Sequence, residues 1–159
     1  MKLQRPTIPI AIWKLATDLQ ATRAIQNQQG TPAYNCNCQW CIHWRNRYES
    51  VLPTQLQQQL LRIGINLNHP TDLYKMNNDK NSTSIRVVFH AVGKILEGAN
   101  PWCQNDSNQT LMYVPIQKQP YVSLVVLPQN QYHGAAPILK DQPSSQLIRI
   151  DLRLELIHA

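Results

Sequence analysis

The chain has 159 residues, which is enough for one domain with a hydrophobic core. It carries a formal net charge of +6, but the basic residues are scattered and form no run of the kind that tracks a phosphate backbone. Its five glycines lie too far apart to form a P-loop or a dinucleotide-binding loop. Nucleotide hydrolysis and nicotinamide chemistry by those routes are therefore excluded.

The N-terminal segment contains a short apolar run, residues 8–13, which Lys14 closes. This run is too short for the core of a signal peptide, and no stretch of the chain approaches the length of a membrane span. We therefore expect a cytoplasmic protein without a membrane partner. In a reducing compartment, the four cysteines are thiols, metal ligands or catalytic groups and not disulfides.

The first predicted elements are a strand and a helix. Isoleucines alternate over residues 7–13, which predicts a short strand, and Pro9 places it at a sheet edge. Thr17 or Asp18 caps the first helix, which ends near Gly30.

Two further helices are predicted before residue 66. An aromatic face at helical spacing runs through Trp40, Trp44, Tyr48 and Val51. Pro53 then opens a helix over residues 54–63, in which leucines face inward and Gly64 marks the end.

The rest of the chain predicts strands at residues 73–76, 85–96, 111–116, 121–127 and 148–156. A polar loop over residues 97–110 contains Cys103, and a second long loop covers residues 129–145. Helices first and strands later indicate an α+β fold, with two to three helices packed on a mainly antiparallel sheet of five to six strands. We expect one domain over residues 1–159, helical to about residue 66 and strand-rich from about residue 67.

The last predicted strand alternates apolar and charged residues, which predicts one core face and one solvent face. Asp151 and Glu155 on the charged face are about 13 Å apart along a strand, too far for a glycosidase-type acid pair. We therefore interpret the charged face as solvated. His90, in the long strand 85–96, is predicted to be a half-buried histidine that is hydrogen-bonded to a neighbour.

Residues 34–48 concentrate the groups that bind metals or react. Cys36, Cys38, Cys41 and His43 form a Cys-x-Cys-x-x-Cys-x-His pattern, and thiolate and imidazole are ligands that zinc prefers. A structural zinc site usually takes two ligand pairs separated by a dozen or more residues. Here the candidates lie within eight residues, so we expect a compact turn to supply three ligands and Cys103 to complete the shell.

Two other interpretations of the cysteines remain open. Cys41 packs inward with Trp44 and Tyr48 at helical spacing, in which case Cys36 and Cys38 have no joint role. Alternatively, the thiols near a helix N-terminus have a lowered pKa and serve a thiol-based redox enzyme, since both spacings are known in dithiols.

Several segments of the chain resemble a known family of proteins. They are the cysteine run 36–44, the Leu52-Pro53 pair, the segment 60–65, Pro70 and the Leu73-Tyr74 pair. These residues resemble a family of small uncharacterised bacterial proteins with a C-x-C-x-x-C-x-x-[WF] motif, followed by a leucine-rich helix that ends in L-G-I and by a strand-rich second half. The resemblance implies no activity, so it assigns no functional residue. His43 stands where the family pattern has Asn, which favours three cysteines plus a distant ligand over a site with three cysteines and a histidine.

The function predicted from the sequence is a non-catalytic binding module with a protein partner, because no complete catalytic signature is present. Its predicted contact residues are Trp40, Trp44, Arg45 and Arg47, since arginine and aromatic residues dominate interface energetics. The helical spacing of Trp44 favours the core instead. Nucleic acid is the alternative partner, bound as a single strand by tryptophan stacking and arginine contacts.

Overall fold

A computed structural model describes residues 7–78, 82–105, 108–140, 142–143 and 146–157, and it shows the predicted α+β fold. Of its three helices, the second and third lie on one face of an antiparallel sheet of seven strands, and the first is hydrogen-bonded along a strand edge. A separate two-stranded hairpin lies beside the sheet. The helices are α1 (Leu19–Ile25), α2 (Gln39–Val51) and α3 (Thr54–Arg62). The strands are β1 (Thr7–Ile10), β2 (Trp13–Thr17), β3 (Asp72–Asn78), β4 (Ser82–Glu97), β5 (Trp102–Asn105), β6 (Asn108–Leu111), β7 (Val114–Lys118), β8 (Tyr121–Pro128) and β9 (Leu147–Ile157).

The sheet has one more strand than the sequence predicted, because the first apolar run folds back on itself. Ala11 has a φ of 52°, and the turn that it forms with Ile12 separates β1 from β2. Ile8 then pairs with Leu15, and both side chains are buried on the helical side of the sheet.

The sixteen residues of β4 organise the sheet. Its first half pairs with β3, its second half pairs with β2, and its other edge pairs with β9 along most of its length. Gly93 is required where β2 approaches, since a Cβ atom there would lie 2.1 Å from the carbonyl oxygen of Ala16. β8 and β7 follow β9 and complete the order β1-β2-β4-β9-β8-β7.

The hydrophobic core fills the space between the helices and the sheet. Leu56 and Leu60 of α3 and Trp44 of α2 are buried there against the inward residues of β4 and β9. The rings of Trp44 and Phe89 lie 6.1 Å apart across this interface. The middle of α2 is therefore held against the sheet by a large buried side chain.

The opposite face of the sheet is not the solvent face that the sequence predicted. Arg149 is 2% exposed and Asp151 is 0% exposed, whereas both were interpreted as solvated. The hairpin β5–β6, expected to be part of a polar loop, and the segment after β8 cover this face. Trp102 of the hairpin stacks on Tyr132 with ring centroids 6.4 Å apart, and Tyr132 in turn lies over Arg149.

Candidate metal centre

The turn before α2 is fixed by backbone hydrogen bonds. The N–H group of Cys36 donates to the carbonyl of Ala33 at 3.2 Å, and the N–H group of Ala33 donates to the carbonyl of Thr71 at 3.1 Å. Asn35 has a φ of 50°, in the left-handed region that asparagine tolerates. The turn is thus attached to the segment that enters β3, and its direction is set before the helix begins.

The thiols of Cys36, Cys38 and Cys41 converge at the N-terminus of α2. Their Sγ atoms all lie within 4.8 Å of one another. Cys38 is the N-cap residue, and its Sγ accepts a hydrogen bond from the N–H group of Cys41 at 3.5 Å. Cys41 is buried, Cys36 is half-buried and Cys38 is exposed, so the group extends from the core to the surface. This is an arrangement in which three thiolates can bind one metal ion.

The thiols of Cys38 and Cys41 differ in pKa. Burial acts to raise the pKa of Cys38, but hydrogen bonds from backbone N–H groups at the helix start and from the thiols of Cys36 and Cys41 lower it overall. Burial raises the pKa of Cys41, and its hydrogen bonds to the other two thiols and their charge add to this effect. Cys38 therefore ionises more easily than Cys41, whose burial favours the protonated thiol.

Arg45 closes the turn from the side of the helix. Its guanidinium donates to the carbonyl oxygen of Cys36 at 3.1 Å and to Oδ1 of Asn37 at 3.2 Å. The planar guanidinium is well suited to such a bridge, and it holds a positive charge near the thiols. Arg45, predicted as a contact residue, is thus engaged within the cysteine turn.

Trp44 does not belong to an exposed contact surface. It is 0% exposed, and its indole N–H donates to the carbonyl oxygen of Leu67 at 2.7 Å. The prediction that Trp44 contacts a partner is therefore wrong, and the packing that its helical spacing favoured is confirmed. The physical reason is that Trp44 lies on the same helix face as Cys41, which is turned toward the sheet.

The other predicted contact residues remain partly accessible. Trp40 and Arg47 are half-buried and lie two turns apart on α2, so they point to the same side of the helix. The ammonium group of Lys75 lies 5.9 Å from the centroid of the Trp40 ring.

Cys103 and His43 lie outside the thiol group. Cys103 is half-buried on β5, where it pairs with Thr110. His43 is half-buried on α2, and its buried Nδ1 atom has no hydrogen-bond partner within the described ranges. Among the residues that the structure describes, no histidine, carboxylate or fourth cysteine joins Cys36, Cys38 and Cys41.

A second polar cluster lies on the sheet face opposite the helices, and the sequence analysis missed it. It consists of Arg86, Arg149, Arg153 and Asp151, which we call the arginine layer. The Asp151 carboxylate accepts hydrogen bonds from both Arg149 and Arg86, the latter through Nε at 3.1 Å and also through a terminal nitrogen. Burial acts to lower the pKa of Arg86, but the hydrogen bond and charge of Asp151 raise it above its ordinary value.

Tyrosine rings separate the guanidinium groups of the arginine layer. Tyr132 lies 4.0 Å from Arg149 and 5.8 Å from Arg86, measured from ring centroid to Cζ. Tyr113 lies 4.5 Å from Arg153 and 5.9 Å from Arg86. Each ring therefore receives two cations, an arrangement favoured by the negative potential of an aromatic face.

One sequence signal pointed to this layer. Arginines alternate with aliphatic residues in two long strands, at Arg86 and again at Arg149 and Arg153. Tyr113 directly precedes β7, and Tyr132 lies shortly after β8. At these positions the two tyrosines can cover the charged face. Alternation alone does not distinguish a solvated charged face from one that aromatic residues cover.

No helix among the described ranges combines the length and the apolar character that crossing a membrane requires. The group of three converging thiols, Cys36, Cys38 and Cys41, is the candidate functional site. The comparisons with known proteins add no assignment to it: no protein-family description, curated protein or solved structure matches the chain.

Proposed function

We propose that the chain is a non-catalytic binding module in which Cys36, Cys38 and Cys41 hold a zinc ion. The observation that carries the proposal is the convergence of three Sγ atoms within 4.8 Å of one another. Zinc–thiolate bonds of about 2.3 Å in a tetrahedral shell place sulfur atoms about 3.8 Å apart. Binding thus requires only small side-chain shifts.

The charges around the thiols support this proposal. Cys38 supplies the first thiolate, because its pKa is lowered. The buried Cys41 thiol has a raised pKa, and the charge of Cys38 contributes to this. A bound dication reverses the local electrostatics and deprotonates a coordinating thiol. Three thiolates and Zn²⁺ carry one net negative charge, which the guanidinium of Arg45 is placed to offset.

The fourth position of the shell distinguishes this site from a closed structural site. Because the described part of the chain supplies three ligands, water or a group from a partner would complete the tetrahedron. Cys38, the exposed member, places that position toward solvent. Trp40 and Arg47 lie on the same helix and offer aromatic and cationic contacts to a protein partner. This is the surface at which we expect the module to bind.

Elemental analysis tests the metal site directly. Protein purified without an affinity tag or a chelator should contain about one zinc per chain if the three thiols act together. Cys38→Ser should lose most of this zinc. Cys103→Ser is the matched control, since Cys103 is a half-buried thiol outside the group, and it should retain the metal. Metal-free wild-type protein that does not take up zinc on reconstitution would contradict the proposal.

A thiol-based redox function is the second candidate, and the lowered pKa of the exposed Cys38 favours it. Its thiolate would attack a substrate disulfide, and the neighbouring Cys36 or Cys41 would then displace the substrate thiol. Iodoacetamide labelling of metal-free protein tests this candidate. Cys38 should react much faster than Cys103 at neutral pH. Equal, slow labelling of both residues would exclude a redox role.

A further inference from the structure

We propose that the Arg153 end of the arginine layer binds a small carboxylate ligand. Asp151 accepts hydrogen bonds from Arg86 and Arg149, and it is the acidic partner of both. Arg153 forms no ion pair with any acidic residue in the described ranges. It faces Arg86 directly across the strands, which is a like-charge pair. Glu155, two residues along β9 on the same face, is the carboxylate that shares this end of the layer with Arg153.

Unpaired hydrogen-bond donors occur at the same place. The Nε atom of Arg153 and the hydroxyl of Ser123 are buried and have no hydrogen-bond partner among the residues that the structure describes. Arg153 and Ser123 are register partners on β9 and β8, so their side chains leave the same face of the sheet. Buried donors are rarely left unpaired, and two adjacent ones, one of them on a guanidinium, indicate a missing acceptor that carries negative charge.

An open cleft gives a ligand access to Arg153. Its volume is about 280 Å³, and it is lined by Met76, Ser84, Tyr121, Arg153, Leu154 and Glu155. The Arg153 guanidinium also lies over the Tyr113 ring, with its Cζ atom 4.5 Å from the ring centroid. A ligand can therefore place its anionic group at Arg153 and the rest of its body between Met76 and Tyr121.

The chemistry of the cleft favours a carboxylate over a phosphate. A guanidinium binds a carboxylate through two parallel N–H···O bonds, and one of its donors, Nε, is unpaired here. Glu155 lines the same cleft and repels a second negative charge. A carboxylate can accept both hydrogen bonds and carries only one negative charge. A phosphate dianion can also accept both hydrogen bonds, but Glu155 repels its second charge.

Sodium acetate is the probe for this site. The melting temperature of the wild-type protein should rise and saturate with acetate, compared with sodium chloride at equal pH and ionic strength, because a ligand that binds only the folded state stabilises it. Sodium phosphate at the same ionic strength should have a smaller effect. Equal effects of acetate and chloride would overturn the proposal, and a larger effect of phosphate would overturn the choice of a carboxylate.

Variants assign the effect to the site. Arg153→Gln should abolish the rise with acetate, and Arg153→Lys should weaken acetate binding about tenfold because it keeps the charge but loses the planar donor pair. Arg62→Gln makes the same charge change at an exposed position on α3 and should respond as the wild type does. An undiminished response in Arg153→Gln would overturn the proposal. If that variant does not fold, Arg153→Lys replaces it, and acetate binding as tight as in the wild type would then overturn the proposal.

Discussion

The Nε2 atom of His90 lies 2.6 Å from Oε1 of Gln129, on the face of the sheet opposite the helices. The Nδ1 atom of the same ring lies 2.8 Å from the hydroxyl of Thr71. The amide nitrogen of Gln129 donates to the carbonyls of Tyr132 and Gly134, so its oxygen faces the histidine as an acceptor. Nε2 therefore donates to Gln129, and because burial lowers the pKa of the ring to about 4, the ring is neutral at pH 7 and Nδ1 accepts from Thr71. The prediction that His90 is hydrogen-bonded to neighbours is confirmed, and the residue is fully buried.

We expect the stability of the protein to fall on acidification because of His90. Burial lowers its pKa to about 4, and the charge of Arg149 adds to this effect. Since the unfolded state takes up the proton near pH 6.5, stability that is present above that pH is lost as the pH falls toward 4, by up to about 3 kcal/mol. Urea denaturation at several pH values between 7.5 and 4 measures this loss.

His90→Gln provides the comparison for that prediction. The variant lacks the titrating ring, so its free energy of unfolding should depend less on pH over this range, whatever its stability at pH 7.5. Other titratable groups, such as the carboxyl group of Asp72, are present in both proteins. The difference between the two pH profiles therefore isolates the contribution of His90. Parallel pH profiles for the two proteins would contradict the assignment.

Asp151→Asn should be among the most damaging single changes on this face. The carboxylate is fully buried and is shared by Arg86 and Arg149, so its loss leaves two buried cations without their acidic partner. Breaking a buried pair in this way costs about 3–5 kcal/mol. The free energy of unfolding from urea denaturation, followed by circular dichroism, measures the effect. Glu97→Gln is the control, since its ion pair with Lys14 is exposed and worth about 0–1 kcal/mol.

Trp44→Phe should destabilise the protein more than Trp40→Phe. The first change removes the indole N–H that pairs with the carbonyl of Leu67 in the core, and it leaves space where the larger ring was. We expect a cost of about 2–4 kcal/mol from the unpaired carbonyl and the lost packing. Trp40→Phe should cost less than about 1 kcal/mol, because Trp40 is only half-buried. Thermal melts of both variants measure the difference, and equal losses would contradict the buried role of Trp44.

The sequence predicted the helical half well because its signals are local. Asp18 caps α1 as predicted, Pro53 directly precedes α3, and α2 begins one residue before Trp40. Each of these signals depends on residues within one helical turn. The end of α1 was predicted less well, since it lies at Ile25 and not near Gly30.

The parts that the sequence did not predict depend on distant residues. The alternation of Arg149 and Asp151 indicates a strand with a charged face, but only the hairpin β5–β6 and Tyr132 decide that this face is buried. The spacing of Cys36, Cys38 and Cys41 indicated a compact ligand group, and their Sγ atoms do converge. The spacing of these three cysteines carries no information on where Cys103 lies, because the position of Cys103 depends on the path of β5.

A chelator should lower the melting temperature of the zinc-loaded protein, and the cysteine variants identify the thiols responsible. Zinc that binds only the folded state adds its binding free energy to folding, on the order of 10 kcal/mol in small zinc peptides. Cys38→Ser is the informative variant. Serine is a good N-cap residue and keeps an acceptor for the N–H group of Cys41, so we expect this variant to fold like the metal-free wild type. It should also melt at the same temperature with and without chelator. Cys103→Ser should keep the chelator response of the wild type, whereas Cys41→Ser should lose about 1–3 kcal/mol even without metal because its thiol is buried. A wild-type protein that ignores the chelator and melts like Cys38→Ser would exclude the zinc site and leave Cys41 as a packed thiol.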